Sequence, residues 1–299
     1  MIFFSVIIPT YNRAGLIIET LNTVLAQSYS NFEVIVVDDG SSDNTREVIE
    51  EKYRTEPRVK YFYKENGERG AARNFGMRHA KGEYAIIFDS DDWMHEEHLS
   101  VLNGKINKIP VGDINFIATK YQLKEDSGKI VPGGTYDLRE GWYDYKRLLK
   151  GNLFGCMYAV RLNNPGLRFF SEDRMYSTLE DWMFILENLR YDRIYLIDQI
   201  TIMVRHNETR STANNQRVIK VRKLAQDWIL KNVALSKDEQ RTLKAWSYYY
   251  CGIHQYLDHN RAGALRETWK AIITGGINKK FLTLFAKSVI GRKIIKAIQ

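Results

Sequence analysis

The sequence predicts an α/β protein, a doubly wound and mostly parallel sheet followed by a helical C-terminal appendage. Three observations predict it. Apolar runs begin near residues 3, 32, 59 and 84, each followed by a stretch of helical periodicity, so four strand–helix units repeat at similar spacing. The runs are nearly continuous rather than alternating, as befits strands buried on both faces. Polar clusters end three of them (Pro9-Thr10-Tyr11, Asp38-Asp39 and Asp89-Ser90-Asp91), at the carboxyl edge where such sheets bind ligands.

Phe3 to Pro9 reads as the first strand, and Thr10-Tyr11-Asn12 turn the chain. Asn12 is expected to cap a helix whose apolar positions Leu16, Ile17, Leu21, Val24 and Leu25 share one face. Phe32 to Val37 is the second strand, and Asn44 and Glu47 carry capping-box spacing for the helix after it. Val59 to Tyr63 is the third strand, with Gly70 to Ala80 as its helix. The fourth, Tyr84 to Phe88, ends in Asp89-Ser90-Asp91-Asp92, with a helix expected from near Trp93. Carboxylates crowded at a strand tip repel unless water or a cation separates them. Hard oxygen donors suit Mg²⁺ or Mn²⁺, ions that commonly also hold a substrate's phosphates. Farther on, Ile194 to Val204 reads as a strand returning to the sheet, and Val218 to Ile273 as helical with aromatic packing. The expected division is a catalytic domain over 1–212 and a helical region over 213–299.

Four blocks, VIIPTYNR (Val6 to Arg13), VVDDGSSDNT (Val36 to Thr45), ERGAARNFGM (Glu68 to Met77) and FDSDDW (Phe88 to Trp93), resemble the family 2 glycosyltransferases with a GT-A fold, in the family's order and spacing. A fifth, LEDWMF (Leu179 to Phe184), resembles that family's acidic pair before a helix. The resemblance implies a nucleotide-sugar site. Tyr11 would stack on the base, Asp39 would accept a hydrogen bond from the imide N–H of uracil, and Pro9 would lend its backbone to the base pocket. Arg73 would lie near the base or diphosphate with Asn66 beside it, and Asp89 and Ser90 would approach the ribose. Asp91 would coordinate Mn²⁺ or Mg²⁺, His206 would reach the metal or diphosphate, and Arg205 and Arg210 would add positive charge there. Glu180 would join the donor contacts, and Asp181 would be the general base of a single, inverting displacement. Ser177 and Thr178 stand at [ST]-x-x-[DE] spacing before these acids, so both could also cap a helix. No Q-x-x-R-W occurs, the mark of the family's processive synthases, which implies transfer of one sugar at a time.

Composition narrows the class. At 299 residues and 44% hydrophobic content the chain holds one large α/β domain and a smaller appendage. Cys156 and Cys251 make no disulfide framework, no run is long enough to span a bilayer, and the N-terminus enters a strand without a signal peptide, which predicts a cytoplasmic enzyme. The net charge of +8 is concentrated: the last forty residues hold nine Lys or Arg and one acid, Glu267. Between Phe281 and Ile298 apolar residues recur at helical spacing among these cations, a pattern expected of a peripheral element at the inner, anionic face of a membrane. The same stripe could instead dock on its own domain or form a homo-oligomer. The expected partners are a UDP-sugar donor and a glycan or lipid-linked acceptor, and no nucleic acid. A sugar-nucleotide nucleotidyltransferase would need a glycine-rich basic loop after the first strand, where Pro-Thr-Tyr-Asn stands. A dehydrogenase would need G-x-G-x-x-G there. A non-enzymatic nucleic-acid or membrane-binding protein would leave the acidic rim unexplained.

Overall fold

The structure, a computed structural model, describes residues 1–110, 114–206 and 214–291. The chain divides into two compact units. The first takes Met1–Asp144, Leu153–Arg174 and the strand that follows Tyr191; the second takes Tyr145–Asn152, Met175–Arg190 and the helices from Asn215 onward.

In the first unit the chain runs β1 (Phe4–Thr10), α1 (Ile17–Leu25), β2 (Phe32–Asp38), α2 (Thr45–Tyr53), β3 (Val59–Tyr63), α3 (Glu68–His79), β4 (Tyr84–Ile87), β5 (Trp93–Met94) and α4 (His98–Ile106). Then come β6 (Phe116–Glu125), β7 (Ile130–Pro132), β8 (Gly141–Tyr143) and β9 (Tyr158–Arg161). The second unit holds a 3₁₀ turn (Tyr145–Lys150) and α5 (Glu180–Leu189), after which β10 (Ile194–His206) rejoins the first unit. The second unit ends with α6 (Asn215–Asn232), α7 (Lys237–Leu257), α8 (Arg261–Gly275) and α9 (Lys279–Ile290).

The strands form one mixed sheet in the order β3-β2-β1-β4-β9-β6-β10-β5, with β7 on β6 and β8 on β10. The four strands legible from their apolar runs pair in parallel, Val6 opposite Val34 and Ile86, Val34 opposite Val59. All seven residues of β1 and of β2 are buried, which is why those runs do not alternate. The parallel series ends at β9, which runs antiparallel to both β4 and β6. α3 lies close on β1: a Cβ at Gly76 would stand 2.3 Å from Ile7 Cγ2, so only glycine lets the helix approach.

Three local expectations are corrected. Asn12 has φ 51°, outside the helical region, and the helix starts only at Ile17; the Asn12 Oδ1 instead accepts from the Ser42 N–H at 2.8 Å. Asn44 makes no side-chain cap, and Asp43 Oδ1 accepts from the Thr45 N–H at 3.0 Å in its place. The helix expected near Trp93 begins at His98, because Trp93 and Met94 pair with Met203 and Ile202 of β10.

His98 is fully buried, its Nδ1 2.7 Å from the Thr201 hydroxyl, which donates to Thr119 Oγ1 at 2.7 Å. Burial, with the neighbouring His95 second, pushes its pKa down to about 3. The folded state therefore refuses a proton that the unfolded chain takes near pH 6.5, so this contribution is whole above that pH and is lost as pH falls toward 3. Urea unfolding at pH 7.5 and pH 5 is expected to show a loss of about 2 kcal/mol from this group at the lower pH. His98→Gln should flatten that slope, and an unchanged slope would contradict the assignment.

In the second unit α9 packs inward. Phe281 is 1% exposed, its ring 5.2 Å from both Trp246 and Tyr249, and Leu284 is buried beside it. Phe281 and Leu284 of the stripe therefore dock on their own unit. Ile294, Ile298, Arg292, Lys293 and Lys296 lie outside the described residues. Among the described residues no helix is long and apolar enough to cross a membrane.

Candidate active site

The carboxyl edge of β1, β2, β3 and β4 collects eight of the expected residues: Pro9, Tyr11, Asp39, Asn66, Arg73, Asp89, Ser90 and Asp91. The two acids that end β2 have different tasks. Asp38 is fully buried and satisfied, Oδ1 accepting from the Ser41 N–H at 2.8 Å and Oδ2 from the Tyr61 hydroxyl at 2.7 Å. Burial and that carboxylate push the Tyr61 pKa far up, so Tyr61 remains a donor. Asp39 is tied to β1 by its N–H, which donates to the Thr10 carbonyl at 2.8 Å. Its Oδ1 accepts from Lys64 Nζ at 2.7 Å and from the Gly67 N–H at 2.9 Å. Its Oδ2 accepts from no described residue. Asn66 donates through Nδ2 to the Asp39 carbonyl at 2.9 Å, and Gly40 holds φ 84° where a Cβ would stand 2.9 Å from the Asn66 nitrogen. One chain of bonds thus fixes the loop after β3 against the loop after β2. Tyr11, next to Thr10, is 50% exposed.

Arg73 on α3 is buried, its guanidinium 5.4 Å from the Phe170 ring centre and its Nη2 3.1 Å from Asp89 Oδ1. Asp89 itself is open to solvent, so a buried cation stands behind an accessible carboxylate. Ser90 is buried between it and Asp91, whose Oδ2 faces Arg13 Nη2 at 3.6 Å. Asp92 points away from the rim: its Oδ1 accepts from the Arg205 N–H at 2.9 Å.

Arg205, expected to add positive charge near the diphosphate, is held against the acidic loop. Its guanidinium lies 4.2 Å from the Trp93 ring centre and 2.6 Å from Glu19, and its Nε donates to the Asp91 carbonyl at 3.2 Å. It staples the end of β10 to the acidic loop. His206, the last residue of β10, is exposed directly after that staple. Arg210 lies outside the described residues. Among the described residues no group of three or more His, Cys, Asp or Glu side chains could hold a metal ion. Asp91 and His206 would offer a metal one carboxylate and one imidazole, a partial donor set. That suits Mn²⁺ or Mg²⁺, which keep positions for water and phosphate.

Glu180 and Asp181 open α5 in the second unit. Neither Ser177 nor Thr178 caps that helix; Leu179 holds the cap position without a side-chain bond. Glu180 is buried, its Oε2 accepting from the Thr178 N–H at 2.7 Å where Thr178 adopts φ 93°. Asp181 Oδ1 accepts from the Trp182 N–H at 2.7 Å, and Oδ2 from Asn152 Nδ2 at 2.9 Å. Trp182 is locked in turn. Its Nε1 donates to the Leu148 carbonyl at 2.7 Å, and the buried Arg222 lies 3.6 Å from its ring centre. Desolvation lowers the Arg222 pKa to about 10.

Sequence reasoning missed Lys64, Arg13, Asn152 and Arg222. Lys64 had a usable signal, since it directly follows the carboxyl end of β3. Asn152 and Arg222 had none, because only tertiary packing brings them to α5.

The family model for glycosyl transferase family 2 matches residues 5–164. Two rickettsial proteins, from Rickettsia felis and Rickettsia conorii, each named an uncharacterized glycosyltransferase, are 35% identical over 127 residues. That alignment covers 42% of this chain, and the chain spans only 20% of the length of those relatives. A Campylobacter jejuni protein named GalNAc(5)-diNAcBac-PP-undecaprenol beta-1,3-glucosyltransferase is 27% identical across 98% of this chain and 96% of its own. Staphylococcus aureus TarS 1–349, solved in complex with UDP-GlcNAc, shares the fold at a TM-score of 0.67 and 21% identity, over 98% of this chain and 88% of that one. With more than half of its residues under the family model, and the acidic strand ends gathered on one rim, the chain belongs to glycosyl transferase family 2.

Proposed function

We propose that the protein transfers a single sugar, with inversion, from a UDP-sugar to a hydroxyl of a glycan or lipid-linked acceptor in cell-surface polysaccharide synthesis. The observation that carries this reading is Asp39. Lys64 and the Gly67 N–H occupy Oδ1, Oδ2 accepts from no described residue, and the Asp39 N–H bonds the carbonyl of Thr10, the residue before the exposed Tyr11. An ionised carboxylate only accepts hydrogen bonds, so it suits uracil, whose ring N3 carries hydrogen, and refuses cytosine, whose N3 is itself an acceptor. Pro9 and Asn66 shape the base pocket, Asp89 and Ser90 take the ribose, and Arg73 sets positive charge behind them. The named acceptor of the Campylobacter relative, linked to undecaprenol, supports a lipid-linked acceptor here.

In the reaction the acceptor oxygen attacks the anomeric carbon. The bond from that carbon to the diphosphate breaks, UDP leaves with the electron pair, and the acceptor's proton goes to Asp181. Asn152 and the Trp182 N–H hold that carboxylate in one orientation, as a base requires. Glu180 would join the donor contacts. Asp91 and His206 would hold Mn²⁺ or Mg²⁺, which when bound supplies positive charge against the departing diphosphate.

Calorimetry of UDP with Mn²⁺ tests the reading. Wild type should bind UDP more tightly with Mn²⁺ than with EDTA, and Asp91→Ala should lose that difference. UDP binding indifferent to both EDTA and Asp91→Ala would remove the metal from the account, and no UDP binding at all would remove the donor.

A further inference from the structure

The inward stripe of α9 leaves the outer face of the α8–α9 pair to be explained. On α8, Trp269, Ile273 and Ile277 just beyond it are 54%, 63% and 87% exposed. Residues 269 and 273 are four apart and share one helical face. On α9, Leu282 and Val289 are exposed on the side away from Phe281 and Leu284. Two contacts join the outer faces: the Trp269 and Phe285 rings lie 6.0 Å apart, and the Arg261 guanidinium donates to the Val289 carbonyl. Side chains of this size, left open together on two adjacent helices, mark an interaction surface rather than scattered exposure.

Charge decides what kind of surface it is. Arg261, Arg266, Lys279, Lys280 and Lys287 are exposed on the same two helices. Their one acid, Glu267, is 1% exposed and faces Lys223 at 3.4 Å and Arg266 at 3.8 Å. The charged side chains that these described helices present to solvent are therefore all cations.

We propose that this outer face docks the enzyme on an anionic lipid bilayer. Trp269, Ile273 and Ile277 enter at the boundary of headgroups and acyl chains, and the lysines and arginines meet lipid phosphates. Tryptophan favours that boundary, and long basic side chains reach back from it to the headgroups. Each cation near an anionic leaflet is worth roughly fivefold in affinity, so a few of them with three apolar anchors give reversible attachment. A soluble acidic protein would match the charges but leave an 87%-exposed isoleucine and a half-exposed tryptophan without a reason. The inference deepens the reading of a lipid-linked acceptor, and it stands on side chains distinct from the nucleotide site.

Co-sedimentation of the full chain with phosphatidylcholine vesicles, and with equimolar phosphatidylcholine–phosphatidylglycerol vesicles, tests it. The chain should pellet with the anionic vesicles and stay in solution with the neutral ones. Trp269→Ser/Ile273→Ser and Lys279→Glu/Lys280→Glu should each weaken that binding at least tenfold. Both alter exposed positions, and their UDP affinity and melting temperature should match wild type. Wild type that ignores anionic vesicles, or variants that pellet as wild type does, would overturn the proposal. So would a wild-type oligomer that these variants dissociate in the absence of lipid, which would make the face a protein interface. Vesicle binding without UDP binding would leave this surface standing and sink the donor reading instead.

Discussion

Asp181→Asn is expected to abolish most transfer while leaving the fold and the UDP affinity of wild type. The substitution keeps the shape of the side chain. The amide oxygen can still accept from the Trp182 N–H, and the Asn152 amide can turn over to present its oxygen to the new NH₂. What is lost is the capacity to take a proton from the acceptor hydroxyl. Removing a positioned base typically costs about 10²–10⁴ in rate, and the loss should appear in kcat. Asn152→Ala should have a smaller effect of the same kind, because it removes one bond to the carboxylate and leaves the carboxylate itself. Near-normal turnover by Asp181→Asn would leave Asp181 with no role beyond the first turn of α5, and a product with retained anomeric configuration would exclude the single displacement.

Asp39→Ala is expected to weaken UDP binding by roughly 10- to 150-fold, the range for losing a hydrogen bond to a charged group. Selectivity should fall with it. Wild type should prefer UDP to CDP, and the alanine variant should bind the two alike, because the acceptor that tells the rings apart is gone. Lys64→Met separates recognition from positioning. It leaves the carboxylate in place but removes its 2.7 Å anchor, so the preference for UDP should shrink without vanishing. Titration of each variant with UDP and CDP reads both effects. Unchanged affinity and preference in Asp39→Ala would place the base elsewhere on the rim.

The part of the fold that was legible is the part where burial writes itself into residue type. β1 and β2 are covered on both faces, so their runs are unbroken, and the polar clusters that end them mark the edge where the sheet opens. β5 left no such mark: Trp93 and Met94 are a strand only because β10 lies beside them. The expected caps failed for a related reason. Asn12 could serve a helix or a loop, and its bonds to the Ser42 and Asp43 N–H groups decided for the loop. Asp38 and Asp39 are adjacent and both buried, and only their partners tell them apart: Asp38 takes the Ser41 N–H and the Tyr61 hydroxyl, whereas Asp39 takes Lys64 and the Gly67 N–H on one oxygen. In α9 the periodicity showed which face is apolar but not what covers it, and α7 proved to cover Phe281. Arg222 was beyond any pattern, since a cation on an amphipathic helix reads as solvated until Trp182 and Tyr250 close over it.

The most direct measurement of the central claim is UDP release from a panel of UDP-sugars incubated with the full chain and Mn²⁺, water standing in for the acceptor. A UDP-sugar transferase with Asp181 as its base should release UDP slowly from at least one UDP-sugar, give little or none from the corresponding CDP- and GDP-sugars, and lose release in Asp181→Asn. Release from none of the UDP-sugars, or equal release by wild type and Asp181→Asn, would contradict that claim.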